Sequence, residues 1–512
     1  MTVHACTTAA HIATAAGAAV SGDVIQIAAG TYDLSGAALL TIADGVEVAG
    51  AGKATTLLNG AAINVSSGTF AATSVYLHDF TLDGQDSVAG LNIYDSASPV
   101  VENVIVKDVT GNGITFFITT NAGDVSTPTV RDCDVSGTTD DGVSGKPSAG
   151  TVDIGAGSIV TCIRVNCHDL GDATNDQGFT VHKGTTGAWE MKLYWCTTSA
   201  TTGPGCESDG FAGANIYAYD CTFGSAGTTY SAAGNHFERC TSTVGFKFTP
   251  TATGLVSSAL DCVADFSASD TSASGFINTV AHKQITVRRC KVIGKSTGTT
   301  ITNAGAFQLA GDSAAGTVAI IESCLAVHMM TGTSGLFKFT NFETSEAINC
   351  GGAYQTAVGS VKGVQIASTS EAPRTARIVN NWIMNTATDA LYIAGSQWGE
   401  SDVIDDRNNV ISTATKSTAN RFYDIGDYAE TDTVGAPGIE ADYKPTVDGN
   451  LWRNGATATL TSLGTTDLAG NPRTVAGLVS RGPYEYVAPS GGPRFMCSGI
   501  GVSGFGSGLR RI

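Results

Sequence analysis

Short runs of alternating apolar and polar residues fill this chain, and almost no stretch keeps the 3.6-residue period of an amphipathic helix. Val104-Ile105-Val106 and Ile285-Thr286-Val287 are representative, each bounded by small polar residues and glycine, as short strands between turns are. The runs recur behind a fixed signature that ends in cysteine or asparagine. It reads Val101-Glu102-Asn103, Arg131-Asp132-Cys133, Val165-Asn166-Cys167, Tyr194-Trp195-Cys196, Tyr219-Asp220-Cys221 and Glu238-Arg239-Cys240. It continues through Leu260-Asp261-Cys262, Arg288-Arg289-Cys290, Glu322-Ser323-Cys324 and Ile348-Asn349-Cys350.

With Asp79 as first member and Asn381 and Asn409 as last, the column advances in steps of 19 to 34 residues. A constant motif with variable spacing predicts a constant structural rung with loops of differing length. Short strands of this kind cannot bury an apolar face alone, but stacked rungs enclose a continuous core. The expected fold class is therefore all-β, a single parallel β-helix of about thirteen rungs at ~4.8 Å each. Nine cysteines (133, 167, 196, 221, 240, 262, 290, 324 and 350) are expected to stack inside it as free thiols, with asparagine in their place at 103, 381 and 409. Free cysteine packs as a small hydrophobe, and disulfide geometry is strict, so packing is the expected role.

The alanine-rich stretch Ala9–Val20 predicts a short helix over the exposed edge of the first rung. The expected division is an N-terminal cap at 1–22, the β-helix at 23–430, a closing segment at 431–486 and a glycine-rich tail at 487–512. After the cap come Gly22-Asp23-Val24-Ile25-Gln26-Ile27, Ala29-Gly30-Thr31-Tyr32, Val46-Glu47-Val48-Ala49-Gly50-Ala51-Gly52 and Thr55-Thr56-Leu57-Leu58. This succession resembles the first rungs of the pectate-lyase-like right-handed parallel β-helix superfamily. The resemblance implies a right-handed coil and leaves function open, since lyases, hydrolases, adhesins and virus spikes share it. Asp442-Tyr443-Lys444-Pro445, Asp467-Leu468-Ala469-Gly470-Asn471-Pro472-Arg473 and Gly482-Pro483-Tyr484-Glu485-Tyr486 are similar to the closing segment of bacterial and phage surface β-helix proteins. Where that pattern has Asp-Ile-Gly-Ala-Tyr-Glu, this chain has Ser480-Arg481-Gly482-Pro483-Tyr484-Glu485.

Composition narrows the field. In 512 residues, 28 Lys and Arg face 46 Asp and Glu, a formal charge of −18 that would repel nucleic acid phosphates. Hydrophobic residues make up 42%, enough to bury a large core, yet no run reaches the ~18 apolar residues of a membrane span. Met1-Thr2-Val3-His4-Ala5-Cys6 lacks the basic start and apolar core of a secretory signal, so none is expected.

Candidate chemistry concentrates in three stretches. They read Asp140-Asp141-Gly142-Val143-Ser144-Gly145-Lys146, then Asn175-Asp176-Gln177-Gly178-Phe179-Thr180-Val181-His182-Lys183, then Glu207-Ser208-Asp209-Gly210-Phe211. Aligned on Gly142, Gly178 and Gly210, they set acidic residues just before each glycine, while Lys146 and His182 share the position four after it. Clustered carboxylates raise one another's pKa or recruit a divalent cation such as Ca2+, here through Asp141, Asp176 and Asp209. Asp140, Asp141, Lys146, Asp176, His182 and Asp209 are then candidates for proton abstraction beside a uronate or for glycoside hydrolysis. Asp, Asn and Gly before a strand are also ordinary turn chemistry. His168, Asp172 and His236 lie near the patch in sequence. Trp189, Tyr194 and Trp195 in one rung and Tyr217 and Tyr219 in the next form an aromatic stripe suited to sugar rings, some of it pointing inward as core. Gly50-Ala51-Gly52-Lys53 is no phosphate loop, with Glu47 and Ala54 at its key positions.

The expected function is non-enzymatic: a virion-associated or surface-exposed structural and glycan-binding protein, such as a phage spike, fibre or capsid-decorating subunit. Its expected partners are a polysaccharide or cell-surface glycan, other virion or surface proteins, and copies of itself, three if it follows the β-helical spikes. The alternative is a polysaccharide lyase or glycoside hydrolase acting on acidic glycans.

Overall fold

In a computed structural model of the chain, the described residues are 1–37, 39–65, 74–119, 123–149, 152–171, 176–201, 203, 205–208, 214–224, 229–231, 234–248, 255–268, 275–278, 282–294, 305–311, 316–329, 335–354, 362–367, 374–384, 389–394, 403–407, 409–411, 433–434, 466–472 and 483. Most of the expected closing segment and all of the tail at 487–512 lie outside them.

Successive short strands alternate among three faces, and every strand pairing is parallel. The first face is a 16-stranded sheet running from Val3–Cys6 to Val403–Arg407. The second, also of 16 strands, runs from Gly30–Asp33 to Thr433–Val434. The third is built of two seven-stranded sheets, one from Leu39–Ile42 to Cys206–Ser208, the other from Thr229–Ser231 to Asp389–Ala394. This is a parallel β-helix, and sixteen stacked strands make it roughly 70 Å long.

Alternation within each strand points every second side chain inward, and parallel register stacks those side chains in files. On the first face Leu77, Val101, Val130, Cys162 and Leu193 form one such file, each buried. On the third face Phe246, Phe276, Phe307 and Phe337 stack with centroids 5.0–5.2 Å apart. Each fully buried side chain of this size contributes ~1.5–3 kcal/mol.

The helix Ala9–Ala18 closes the N-terminal end, its start capped by the Thr8 side chain and its Ile12, Ala15 and Ala16 buried. The strand Val3–Cys6 precedes it and pairs with Val24–Ile27, so the 1–22 segment contributes a rung edge as well as a lid.

The corner between first and second faces explains the repeated signature. One residue there takes a left-handed conformation in each turn: Asp79, Asn103, Asp132, Arg164, Trp195, Asp220, Arg239, Asp261, Arg289, Ser323, Asn349 and Asn380, all with φ between 49° and 62°. The residue after it turns inward. That inner column holds Phe80, Val104, Cys133, Val165 and then seven consecutive cysteines from Cys196 to Cys350, followed by Asn381 and Asn409. The expected column is thereby corrected at three places. Asp79 and Asn103 are left-handed corner residues, and Cys167 pairs with Val135 three residues past the corner residue Arg164, so the ladder has eight cysteines rather than nine. The twelve described cysteines are all buried and free.

Cysteine and asparagine do the same work in this column. Cys350 Sγ donates to the carbonyls of Ile348 and Ile321 at 3.3 Å, and Cys290 Sγ accepts from the Cys262 amide at 3.4 Å. Asn381 donates to Ala347 O at 2.9 Å and accepts from the Cys350 amide at 2.8 Å. The corner frees a backbone donor and acceptor in the interior, and both side chains can meet them.

Candidate functional site

The first candidate is the carboxylate patch, which falls on the third face. Val143–Pro147 pairs with Phe179–Val181, and this strand with Cys206–Ser208, so that Val143, Phe179 and Cys206 share one position. The glycines in line are therefore Gly142, Gly178 and Gly205. They have no alternative there: a Cβ on Gly142 would lie 2.6 Å from Gly178 O and 2.8 Å from Cys167 Sγ. Gly205 takes the place that the sequence alignment gave to Gly210, which lies outside the described residues. Asp209 follows directly on Cys206–Ser208 and lies outside the described residues, as do Asp172 and Phe211. His168 sits on the second face and His236 on the first, so neither joins the patch.

The remaining members do meet. Asp141 and Asp176 are buried, and His182 Nε2 lies 3.9 Å from Asp141 Oδ2. Asp141 Oδ1 is buried without a hydrogen-bond partner. Burial, then Asp141, push the Asp140 carboxyl above the usual carboxylate range, with Lys146 opposing and Asp176 adding to the rise. Lys146 itself lies 6.0 Å above the Phe117 ring. Ser144 and Thr180 are buried beneath, and Gln177 Nε2 donates to Glu207 at 2.6 Å. Among the described residues no three His, Cys, Asp or Glu side chains are placed to hold a metal ion.

The second candidate is the aromatic stripe, which the structure divides. Trp189 is completely buried against Gly145, where a Cβ would come within 3.0 Å of the indole, so it is core and not a binding residue. Tyr194, Trp195, Tyr217 and Tyr219 lie together on the first face. Register places Lys192, Tyr217, His236 and Ser258 in one outward row, and Tyr194, Tyr219, Glu238 and Leu260 in the next. Tyr217, Tyr219, His236, Phe237, Glu238, Ser258 and Leu260 line a groove of about 270 Å³.

Rung spacing dictates how these rings are presented. Tyr194 stacks on Tyr219 at 5.1 Å and Tyr217 on His236 at 5.0 Å, with planes within 11°. In each pair one ring face is covered by its neighbour, so the groove is offered mainly ring edges and hydroxyls. His236 Nδ1 shares a 2.9 Å hydrogen bond with the Ser258 hydroxyl, and burial lowers its pKa. Burial raises Tyr217, helped by the nearby Glu190, and it raises Tyr219, helped by Tyr194.

Trp195 differs. It is 56% exposed, lies at 43° to the Tyr194 ring, and occupies the left-handed corner column at φ 53°. Aspartate or asparagine suits that conformation, which otherwise costs ~1–2 kcal/mol, and an indole more than half exposed gains little from packing. His236, Glu238 and Ser258 were not singled out as groove residues from the sequence, although a signal exists: Lys192, Tyr217, His236 and Ser258 all stand four residues before a ladder cysteine.

No known protein family and no curated protein sequence matches the chain. Among solved structures it is similar to the Azotobacter vinelandii mannuronan C-5 epimerase AlgE4 A-module, at 14% identity and a TM-score of 0.35 over 85% of this chain and 98% of that one. It is similar also to ORF18 of Geobacillus virus E2, at 12% and 0.25 over 73% and 56%. A third is the PL6 family alginate lyase AlyGC, at 14% and 0.32 over 87% and 55%. None of these values carries an argument about what this chain does.

Proposed function

We propose that the chain is a glycan-binding β-helix protein, displayed on a virion or cell surface as a spike, fibre or decorating subunit, and that it binds through the first-face groove. The observation that carries the reading is Trp195, an exposed indole held where the corner favours a small polar residue, beside Tyr194, whose ring stacks on the groove's Tyr219. Neither backbone strain nor solvent exposure benefits the fold, and an amphipathic ring with one free face is what a sugar ring packs against. The test is retention of the protein in gels containing polysaccharides, comparing the natural chain with Trp195→Asn. Retention that the substitution abolishes supports the reading; retention by no polymer sinks it. Many copies of the chain in purified virus particles would support the virion placement, and their absence would remove it.

One observation favours a second reading. The unsatisfied, buried Asp141 oxygen beside His182, with Asp140 held above its usual range, suits proton transfer in a hydrolase or lyase. Release of reducing ends or unsaturated products from a polysaccharide, lost in Asp141→Asn, would support an enzyme. Unchanged polymer throughout the panel would leave binding alone.

A further inference from the structure

The charges around the first-face groove narrow the ligand further, granted that the groove binds glycans. Arg239 is clamped by both carboxylate oxygens of Asp220, at 2.6 and 2.9 Å, and pairs with Glu238 as well. Arg164, one turn beyond Trp195 in the corner column, is held in the same way by Asp132 at 2.6 and 2.8 Å. Glu190 accepts from the Asn215 amide at 2.8 Å. Lys192 lies in the row of Tyr217 and His236, and Arg288, next to Leu260 in the other row, is paired with Glu322 at 2.8 Å. Glu190, Asp220 and Glu238 thus outnumber Lys192 and Arg239, and the Arg239 guanidinium is already spent on two carboxylates.

A uronate or sulfate group binds by taking a guanidinium or ammonium for itself, ideally in a two-point contact. At Arg239 it would have to displace Asp220 and at Arg288 Glu322, and at Lys192 it would face a local excess of negative charge on a chain of net charge −18. His236 adds no cation near neutrality, since burial lowers it. Neutral hydroxyls meet the opposite situation. The Glu238 carboxylate accepts from them, and the hydroxyls of Tyr217, Tyr219 and Ser258 donate or accept. From the Trp195 rung to the Ser258 rung these groups extend over about 14 Å of the coil.

We propose that the groove binds an uncharged polysaccharide, a run of neutral sugar rings laid along the coil from Trp195 towards Ser258, and excludes uronates and sulfated chains.

The test uses the whole protein in affinity electrophoresis against neutral polymers (dextran, mannan, galactan and mixed-linkage glucan) and anionic ones (alginate, polygalacturonate and hyaluronate). Each is run at low salt and at about 0.15 M, because repulsion between exposed charges is strongest at low salt. Trp195→Asn is the control variant, since asparagine holds the same corner at Asn349 and Asn380, and circular dichroism checks its fold. At least one neutral polymer should retain the protein, with affinity falling tenfold or more in Trp195→Asn, about 1.4 kcal/mol. No anionic polymer should retain it at either salt. Trp195-dependent retention by an anionic polymer, equal to or stronger than by the neutral ones, would overturn the ligand class while leaving a glycan groove in place. Binding indifferent to Trp195, or none at all, would instead remove the groove reading on which this inference rests.

Discussion

At the residue scale, Asp23 shows how a single carboxylate ties the N-terminal cap to the coil. It accepts from the backbone amide of Thr2 at 2.6 Å and of Val20 at 3.2 Å, with His4 at 3.5 Å. These bonds, the Thr2 amide first, hold it down to about 2. A carboxylate depressed in the folded chain contributes stability above its unfolded pKa of about 3.9, and loses it as pH falls through the folded value. Asp23→Asn should therefore lower the melting temperature at pH 6, and the difference from the natural chain should shrink between pH about 4 and about 2. A difference that persists unchanged at pH 2 would show that the carboxylate charge plays no part. Two tryptophans illustrate what side-chain identity conceals. Trp189 and Trp195 read alike in the sequence, yet one precedes a strand and fills the space left by Gly145, while the other sits on the corner in solvent. The phase of alternation at a corner depends on its left-handed residue, and no residue type marks that position uniquely: Asp, Asn, Arg, Ser and Trp all occupy it.

The element that organises the molecule is the corner and its inner ladder. Cysteine recurrence made the ladder legible, whereas Phe80, Val104 and Val165 were not, because ordinary apolar residues carry no signature. Matching on identity drew in the neighbouring Asn103 and Cys167 instead. The third-face alignment failed for a related reason: Gly205 and Gly210 are both near a strand, and only the backbone shows that Gly205 approaches the next rung. Substituting Cys262 by alanine leaves a small void and removes the thiol's bond to the Leu260 carbonyl, and should cost about 1–2 kcal/mol in denaturant unfolding. Gly142→Ala should cost about 1–3 kcal/mol, since its Cβ would press on backbone. A neutral result at Cys262 would place it outside the packed corner, and one at Gly142 would show that the next rung does not press on it. Burial pushes the Cys133 thiol up to about 12 and lifts Cys262, Cys290 and Cys350 well above their usual value. Thiols so held are poor nucleophiles; Cys324, where burial is outweighed by hydrogen bonds with Cys290 and Cys350 that lower it, is fully enclosed in the same column, so iodoacetamide should modify the ladder only after unfolding. Prompt labelling of Cys262 or Cys290 in the native protein would contradict the ladder's burial.

For the whole molecule, the architecture was legible because a solenoid writes its period into the chain, while the groove was not, because its members come from four rungs separated by loops of unequal length. Tyr217 and His236 are 19 residues apart, Tyr217 and Lys192 are 25, and only stacking makes them neighbours. Fold and site therefore stand on one claim, that distance along the coil grows by one strand spacing per turn. Spin labels on cysteines introduced at solvent-accessible members of the corner column measure this directly, the twelve described natural thiols being buried. From Asn103 to Trp195 is three turns and from Asn103 to the exposed Arg239 is five, so the label separations should be about 14 Å and about 24 Å. A long-pair distance close to the short one, or one that fails to grow by about 4.8 Å per turn, would contradict the stacked coil and every juxtaposition drawn from it.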